Sequence, residues 1–264
     1  MFFYKLKITL IRILGYEKPL RTAFLKLLTL KFKTFRPHYE TILLESALEA
    51  KKIGYDEISV IELGVAGGNG IIALEKYKDK IQKLYNIKIN IYGLDSGSGL
   101  PVPKKYDLPF YWKMNDFKND PDVLKKKTKS KIIYGDVKDT VEDLIKCEPK
   151  NISSIFFDLD FYSSTKDFLD QISKIQKFLN PRVYCYFDDN FSVTHYINQH
   201  VGVELAINEF NDQNKEIKIG KSLDNISDFK FPIGSNHLYM MHCFEHIDYD
   251  KYIGKYSEND LRIK

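Results

Sequence analysis

The chain has 264 residues, 44% of them hydrophobic and 14% aromatic, which fits one large domain, with or without a small appendage, and excludes a disordered chain. A net charge of +4 excludes a chain that binds polyanions through its whole surface. Cys147, Cys185 and Cys243 lie far apart with no CxxC pair, which excludes a cysteine zinc site or a disulfide framework and suits reduced core thiols in a cytoplasmic protein.

Residues 1–36 form a basic segment. Lys5, Lys7, Arg12, Lys18, Arg21, Lys26, Lys31, Lys33 and Arg36 face a single acid, Glu17. Leucines and isoleucines recur near helical spacing, and Gly15 and Pro19 divide the segment into two short helices. Two readings stay open. One is a cap on the core or on a second subunit of a homo-oligomer; the other is a peripheral helix on the inner face of an anionic membrane. No secretory signal is expected, because the start lacks a clean apolar run and a small-residue cleavage site. No charge-free run is long enough to span a bilayer.

Residues 37–264 read as one α/β domain. HYETILLESALEAKKIG is an amphipathic helix that Gly54 ends. ISVIELG is a continuous apolar strand and NGIIALEKYKDKIQKLY a helix. IKINIYGLD and SKIIYGD are strands, KDTVEDLIKC a helix, ISSIFFDLD a strand and STKDFLDQISKIQKFL one helix. RVYCYFDD is a fifth strand, VGVELAINEFND a helix, and KEIKIGKSL and HLYMMHCF two last strands. Strands separated by single helices imply right-handed crossovers and a mostly parallel, Rossmann-like sheet of seven strands. The last two strands have no helix between them and pair antiparallel. Residues 95–130, with four prolines and the sole tryptophan, Trp112, form a long lid or substrate loop.

Ligands of open α/β sheets bind beyond the carboxyl ends of the strands. Those ends carry Glu62-Leu63-Gly64, Asp95, Gly135-Asp136, Asp158 with Asp160, and Asp188 with Asp189. The first strand runs into GVAGGNG, where glycines allow a tight turn and close ligand approach. Ala66 stands where a dinucleotide fingerprint needs its third glycine, and no Lys precedes Ser or Thr as a Walker loop requires. Glu62 would repel a pyrophosphate but accept from an ammonium group, while Asp95 is placed for a ribose diol. An acid, glycines and a second acid suit a cationic, phosphate-free adenosine ligand.

In this order the motifs resemble those of class I methyltransferases over roughly residues 55–245. The resemblance implies S-adenosylmethionine held by Glu62, Gly64, Ala66, Gly67 and Gly70 around its amino acid part. It implies Asp95 with Ser96 at the ribose, Gly135-Asp136 at the adenine, and Asp158 beside the cofactor. FDLDFYSSTKDFL followed by YFDDN is similar to the macrocin O-methyltransferase group, with its D-x-D-x-Y-x-S-T segment and later acid pair. That likeness implies that Asp158, Asp188 and Asp189 hold magnesium or another divalent cation and that Asp160 is the general base. SGSGLP after Asp95, Asn190 after the acid pair and the long Pro-rich loop depart from the group and leave the acceptor open. Carboxylates converging without a cation would repel one another, so the four acids themselves call for one. The competing reading makes Asp160, Ser163 or Ser164 a helix cap.

The expected activity is O-methylation of a sugar or sugar-nucleotide hydroxyl, as in surface polysaccharide or natural-product glycan synthesis. A catechol-like acceptor and a non-catalytic scaffold are the alternatives. Nucleic acid is not an expected partner, since no NPPY-like motif follows the fourth strand. His237 and His242 fall on opposite sides of a strand and are not expected to bind zinc. His195, His200 and Glu204 lie near the acid pair, and Glu204 could face the metal. Tyr111, Trp112 and Phe110 either line the acceptor pocket or anchor the loop. The Lys125–Lys127 run with Lys129 either meets a diphosphate or is simply solvated.

Overall fold

The computed structural model describes residues 36–190, 196–221 and 237–254. The basic segment before Arg36 and His195 lie outside them.

Helix α1 (Pro37–Ile53) starts with proline at its first position and ends at Gly54, whose left-handed φ of 109° turns its N–H back onto the Ala50 carbonyl. It is followed by β1 (Glu57–Leu63), α2 (Asn69–Tyr85) and β2 (Lys88–Asp95). The lid leads to α3 (Pro121–Lys127), β3 (Lys131–Tyr134), α4 (Val137–Lys146) and β4 (Ile152–Phe157). Then come α5 (Tyr162–Leu169), α6 (Ile172–Ile175), β5 (Leu179–Phe187), α7 (Gly202–Gln213), β6 (Ile217–Lys221) and β7 (Leu238–Cys243).

One seven-stranded sheet has the order β3-β2-β1-β4-β5-β7-β6. The first five strands in this order run parallel, and β7 runs antiparallel to both β5 and β6. Strand alternation sorts the core into two layers. Val60, Phe156 and Tyr186 face one side, packed with Tyr39, Leu43 and Ile71 of α1 and α2. Ile61, Leu63, Phe157 and Phe187 face the other, packed with Val141, Phe168, Ile172 and Val203 of α4 to α7.

The register builds the functional edge. Leu63 is aligned with Leu94 and with Phe157, and Phe157 with Phe187. One residue further on, the four chains deliver Gly64, Asp95, Asp158 and Asp188 in a row. The strand order reverses between β1 and β4, and a crevice opens there.

Three expectations need correction. The helix after β4 is not continuous: α5 stops at Leu169, and α6 and a 3-10 turn, Gln176–Phe178, follow. Strand β5 begins at Leu179, earlier than Arg182, and its register against β4 shifts in the interval holding Pro181, which has no N–H to donate. The 95–130 segment is not all loop. It holds a 3-10 turn, Lys105–Asp107, and helix α3, where Pro121 occupies the first turn and Asp120 caps the amides of Asp122 and Val123. Lys125–Lys127 form the last turn of α3, where cations suit the helix dipole, and do not line the cavity described next.

Candidate active site

A cavity of about 910 Å³ lies over the switch point. Gly64, Ala66, Gly67, Gly70, Asp95, Ser96, Gly135, Asp136, Asp158, Asp160, Asp188 and Asp189 all line it.

Glu62 does not line it. It is 1% exposed beneath the glycine-rich turn, where its Oε1 accepts from the Tyr39 hydroxyl at 3.1 Å. A Cβ on Gly70 would lie 1.6 Å from that oxygen, so Gly70 makes room for the carboxylate under the first turn of α2. Burial, and next the charge of Asp158, push the Glu62 carboxyl up to about 8. Glu62 therefore packs beneath the turn and off the cavity wall, and its Oε2 is buried without a hydrogen-bond partner among the described residues.

The turn is shaped around Asp95. Ala66 adopts a φ of +44°, uncommon outside glycine. The Val65 and Ala66 amides both donate to Asp95 Oδ2 at 2.8 Å. Oδ1 accepts from the Gly97 amide at 2.6 Å and from Asn119 Nδ2 at 2.7 Å. A Cβ on Gly67 would meet nothing within 4 Å, leaving open space above the turn where a ligand would lie.

Beyond β4 and β5, one ligand atom each from Asp158, Asp188 and Asp189 falls within 4.8 Å of the others. Asp160, at a left-handed φ of +60°, donates its amide to Asp189 Oδ2 at 2.7 Å. Asp188 accepts from the Tyr186 hydroxyl at 2.9 Å. Burial, then the charges of Asp188 and Asp189, hold the Asp158 carboxyl well above its usual range. Burial and then Asp160 do the same to Asp189, and burial with Asp158 pushes Asp160 up to about 7. Arg36 offsets part of this charge. Its Nη1 lies 3.7 Å from Asp158 Oδ2 and donates to the Tyr39 hydroxyl at 3.1 Å. The raised carboxyls persist despite that guanidinium, so this hard-oxygen donor set fits a divalent cation.

The capping alternative does not describe α5. Phe161 is its N-cap and no side chain of the cap residue bonds to the helix. Asp107 of the lid does this work: it is 2% exposed and accepts from the Ser163 amide at 2.7 Å and the Ser163 hydroxyl at 2.8 Å. It also accepts from the Lys104 amide at 2.7 Å, so one carboxylate joins lid to helix. Asp107→Ala is expected to destabilise the protein by about 1–3 kcal/mol, the range for a lost cap and stranded donors, read as a lowered urea midpoint.

Other candidates separate cleanly. Glu204 accepts from Asn190 Nδ2 at 2.9 Å and from the Tyr239 hydroxyl, and does not join the carboxylate cluster. His237 lines the cavity against the Phe187 carbonyl, whereas His242 meets the Tyr249 hydroxyl; neither joins a metal-ligand group among the described residues. His200 lies in an exposed turn. Tyr111 and Trp112 line the cavity, while Phe110 is exposed and packs on Tyr196. Sequence reasoning missed Arg36, Lys104 and Asp107, which line the cavity, and Asn119, which does not line it but donates to Asp95. They lie on the first helix boundary and the lid, away from strand ends, where only the fold brings them in.

No family profile matches the chain, and no curated protein matches it. Among solved structures it is similar to CalS11, a calicheamicin methyltransferase, at 18% identity and a TM-score of 0.52, covering 90% of this chain and 91% of that one. An apo structure of CalS11, described as a TDP-rhamnose 3'-O-methyltransferase, matches at 16% identity and a TM-score of 0.47, covering 90% and 93%. The O-methyltransferase TomG from Streptomyces achromogenes, in complex with S-adenosylmethionine, matches at 12% identity and a TM-score of 0.43, covering 86% and 89%. The likeness to CalS11 shows the fold: a Rossmann-like methyltransferase sheet, mostly parallel, with antiparallel last strands.

Proposed function

We propose that this chain is an S-adenosylmethionine-dependent O-methyltransferase that uses magnesium or another divalent cation and acts on a hydroxyl of a sugar or sugar nucleotide. The observation that carries this reading is the row of strand-end groups in one cavity: a glycine turn beside Asp95, and four carboxylates beyond β4 and β5. When bound, the cofactor supplies an electrophilic methyl on a sulfonium, and the cation lowers the pKa of the acceptor hydroxyl.

The chain's own residues supply the rest. Gly64, Ala66, Gly67 and Gly70 shape the floor for the amino acid part, and Asp95 faces the ribose. Ser96 and the Gly135-Asp136 pair border the adenosine. Asp158, Asp188 and Asp189 hold the cation. Asp160 receives the acceptor's proton as its oxygen bonds to the methyl carbon and the carbon–sulfur bond breaks. The sugar class rests on the likeness of Asp158 to Thr165 and of Asp188-Asp189 to the macrocin O-methyltransferase group, and a sugar is also the acceptor named for CalS11.

No helix among the described residues is long and apolar enough to cross a membrane. Any membrane contact is assigned to residues 1–36, and a homo-oligomer remains part of the proposal.

Calorimetric titration with S-adenosylmethionine and S-adenosylhomocysteine tests the cofactor. Micromolar binding is the expected result, and no binding with or without magnesium would overturn the reading. Turnover on sugar nucleotides should fall at least tenfold on chelation and return with magnesium. Turnover of simple catechols without a sugar would move the acceptor to the phenolic class.

A further inference from the structure

Asp95 is fully engaged before any ligand arrives. A carboxylate offers about four acceptor positions. Here the amides of Val65 and Ala66 take Oδ2, and the Gly97 amide and Asn119 Nδ2 take Oδ1, all at 2.6–2.8 Å. A ribose diol brings up to two further donors, so at least one resident donor must leave.

The four donors are not equally free to go. Val65 and Ala66 belong to the turn that leaves β1, where the Gly64 amide is bonded to the Leu94 carbonyl and the Gly68 amide to the Val65 carbonyl. Gly97 is two residues from Asp95 itself. Asn119 reaches in from the far side of the lid and is the one side-chain donor on the carboxylate among the described residues. Its Oδ1 is buried and finds no hydrogen-bond partner among the described residues, so the amide is held on that side by the Asp95 bond alone. Its backbone amide meets the Gly97 carbonyl at 3.3 Å, a long contact.

The same lid is tied at its other end to α5 through Asp107 and Ser163. Within the lid, the Leu100 amide bonds to the Asp116 carbonyl and the Asn115 amide to the Leu100 carbonyl, so its two arms are joined.

We propose that Asn119 is a positioning residue that holds the place of a ribose hydroxyl on Asp95, and that the ribose diol of an adenosyl ligand displaces it and unlatches the Asp95 end of the lid. The inference rests on the cofactor reading above. Asn119 thereby sets cofactor affinity by competition, and it couples cofactor entry to the segment that covers the acceptor side.

The competition fixes a sign. Asn119→Ala removes the rival donor, so it should bind S-adenosylhomocysteine about 3- to 10-fold more tightly than the native chain, the scale of one displaced hydrogen bond. Hydrogen exchange of segment 115–119 should quicken when S-adenosylhomocysteine binds the native chain. In Asn119→Ala that exchange should be fast without ligand and rise no further. Weaker or equal binding by Asn119→Ala would overturn the proposal while leaving the cofactor reading intact, and so would ligand-induced slowing of exchange in segment 115–119. No binding by either protein would overturn both. A variant that melts early shows itself by fast exchange throughout the sheet; Asn119→Ser then replaces it, with the same expected tightening.

Discussion

Replacing Asp160 with asparagine should lower kcat by about 10²- to 10⁴-fold, the range expected of a lost general base, while S-adenosylhomocysteine affinity stays within about threefold. Asparagine is the informative variant because it keeps the size of the side chain and tolerates the left-handed φ of +60° that Asp160 adopts. Alanine would add backbone strain and confuse a chemical loss with a structural one. The backbone amide that bonds to Asp189 is untouched, so that contact is kept. Steady-state kinetics beside calorimetry separates the outcomes. Unchanged turnover would remove Asp160 from the role of base, and an equal loss of turnover and ligand binding would make it a structural residue. Burial and then Asp158 raise this carboxyl to about 7, well above an ordinary aspartate.

Much of the fold was legible because period and punctuation agreed. NGIIALEKYKDKIQKLY is helix α2 from its first residue to its last, and VGVELAINEFND is α7 to within a residue. The acids gathered at one edge because parallel strands in register end together, a consequence of topology that the sequence order alone implies. What stayed hidden depends on tertiary contact. STKDFLDQISKIQKFL keeps helical spacing, yet the chain turns at Asp170-Gln171 to seat Ile172 and Ile175 in the core. Glu62 is an acid and stood at a strand end, which suggested a ligand; its buried place under Gly70 follows from the helix that packs over it. Arg36 sat within a basic run and gave no local signal, because its meeting with Asp158 depends on where α1 begins. Asp107 and Asn119 lie in a segment without periodicity, where sequence spacing carries no information about distance.

Gly64→Ala should be the most damaging single methyl in the site. Gly64 has a φ of +78°, which costs an alanine roughly 1–2 kcal/mol by itself. Its Cβ would lie 1.7 Å from the Asp158 carbonyl oxygen, which is backbone and cannot swing aside. The strands are tied there, since the Asp158 amide donates to the Leu63 carbonyl, joining β4 to β1, and the Gly64 amide to the Leu94 carbonyl, joining β1 to β2. Relief of the clash must push the end of β4 away from β1 and carry Asp158 with it. The combined cost is expected at about 2–4 kcal/mol in urea unfolding, with cofactor affinity reduced by at least tenfold in whatever remains folded. Gly67→Ala is the control three residues on. That Cβ meets nothing within 4 Å and the backbone there needs no left-handed φ, so stability should hold within about 0.5 kcal/mol. Because the open space beside Gly67 belongs to the cavity, any loss in Gly67→Ala should fall on ligand affinity alone. Equal unfolding midpoints for the two variants would show that the close approach of β1 to β4 does not set the geometry of the site.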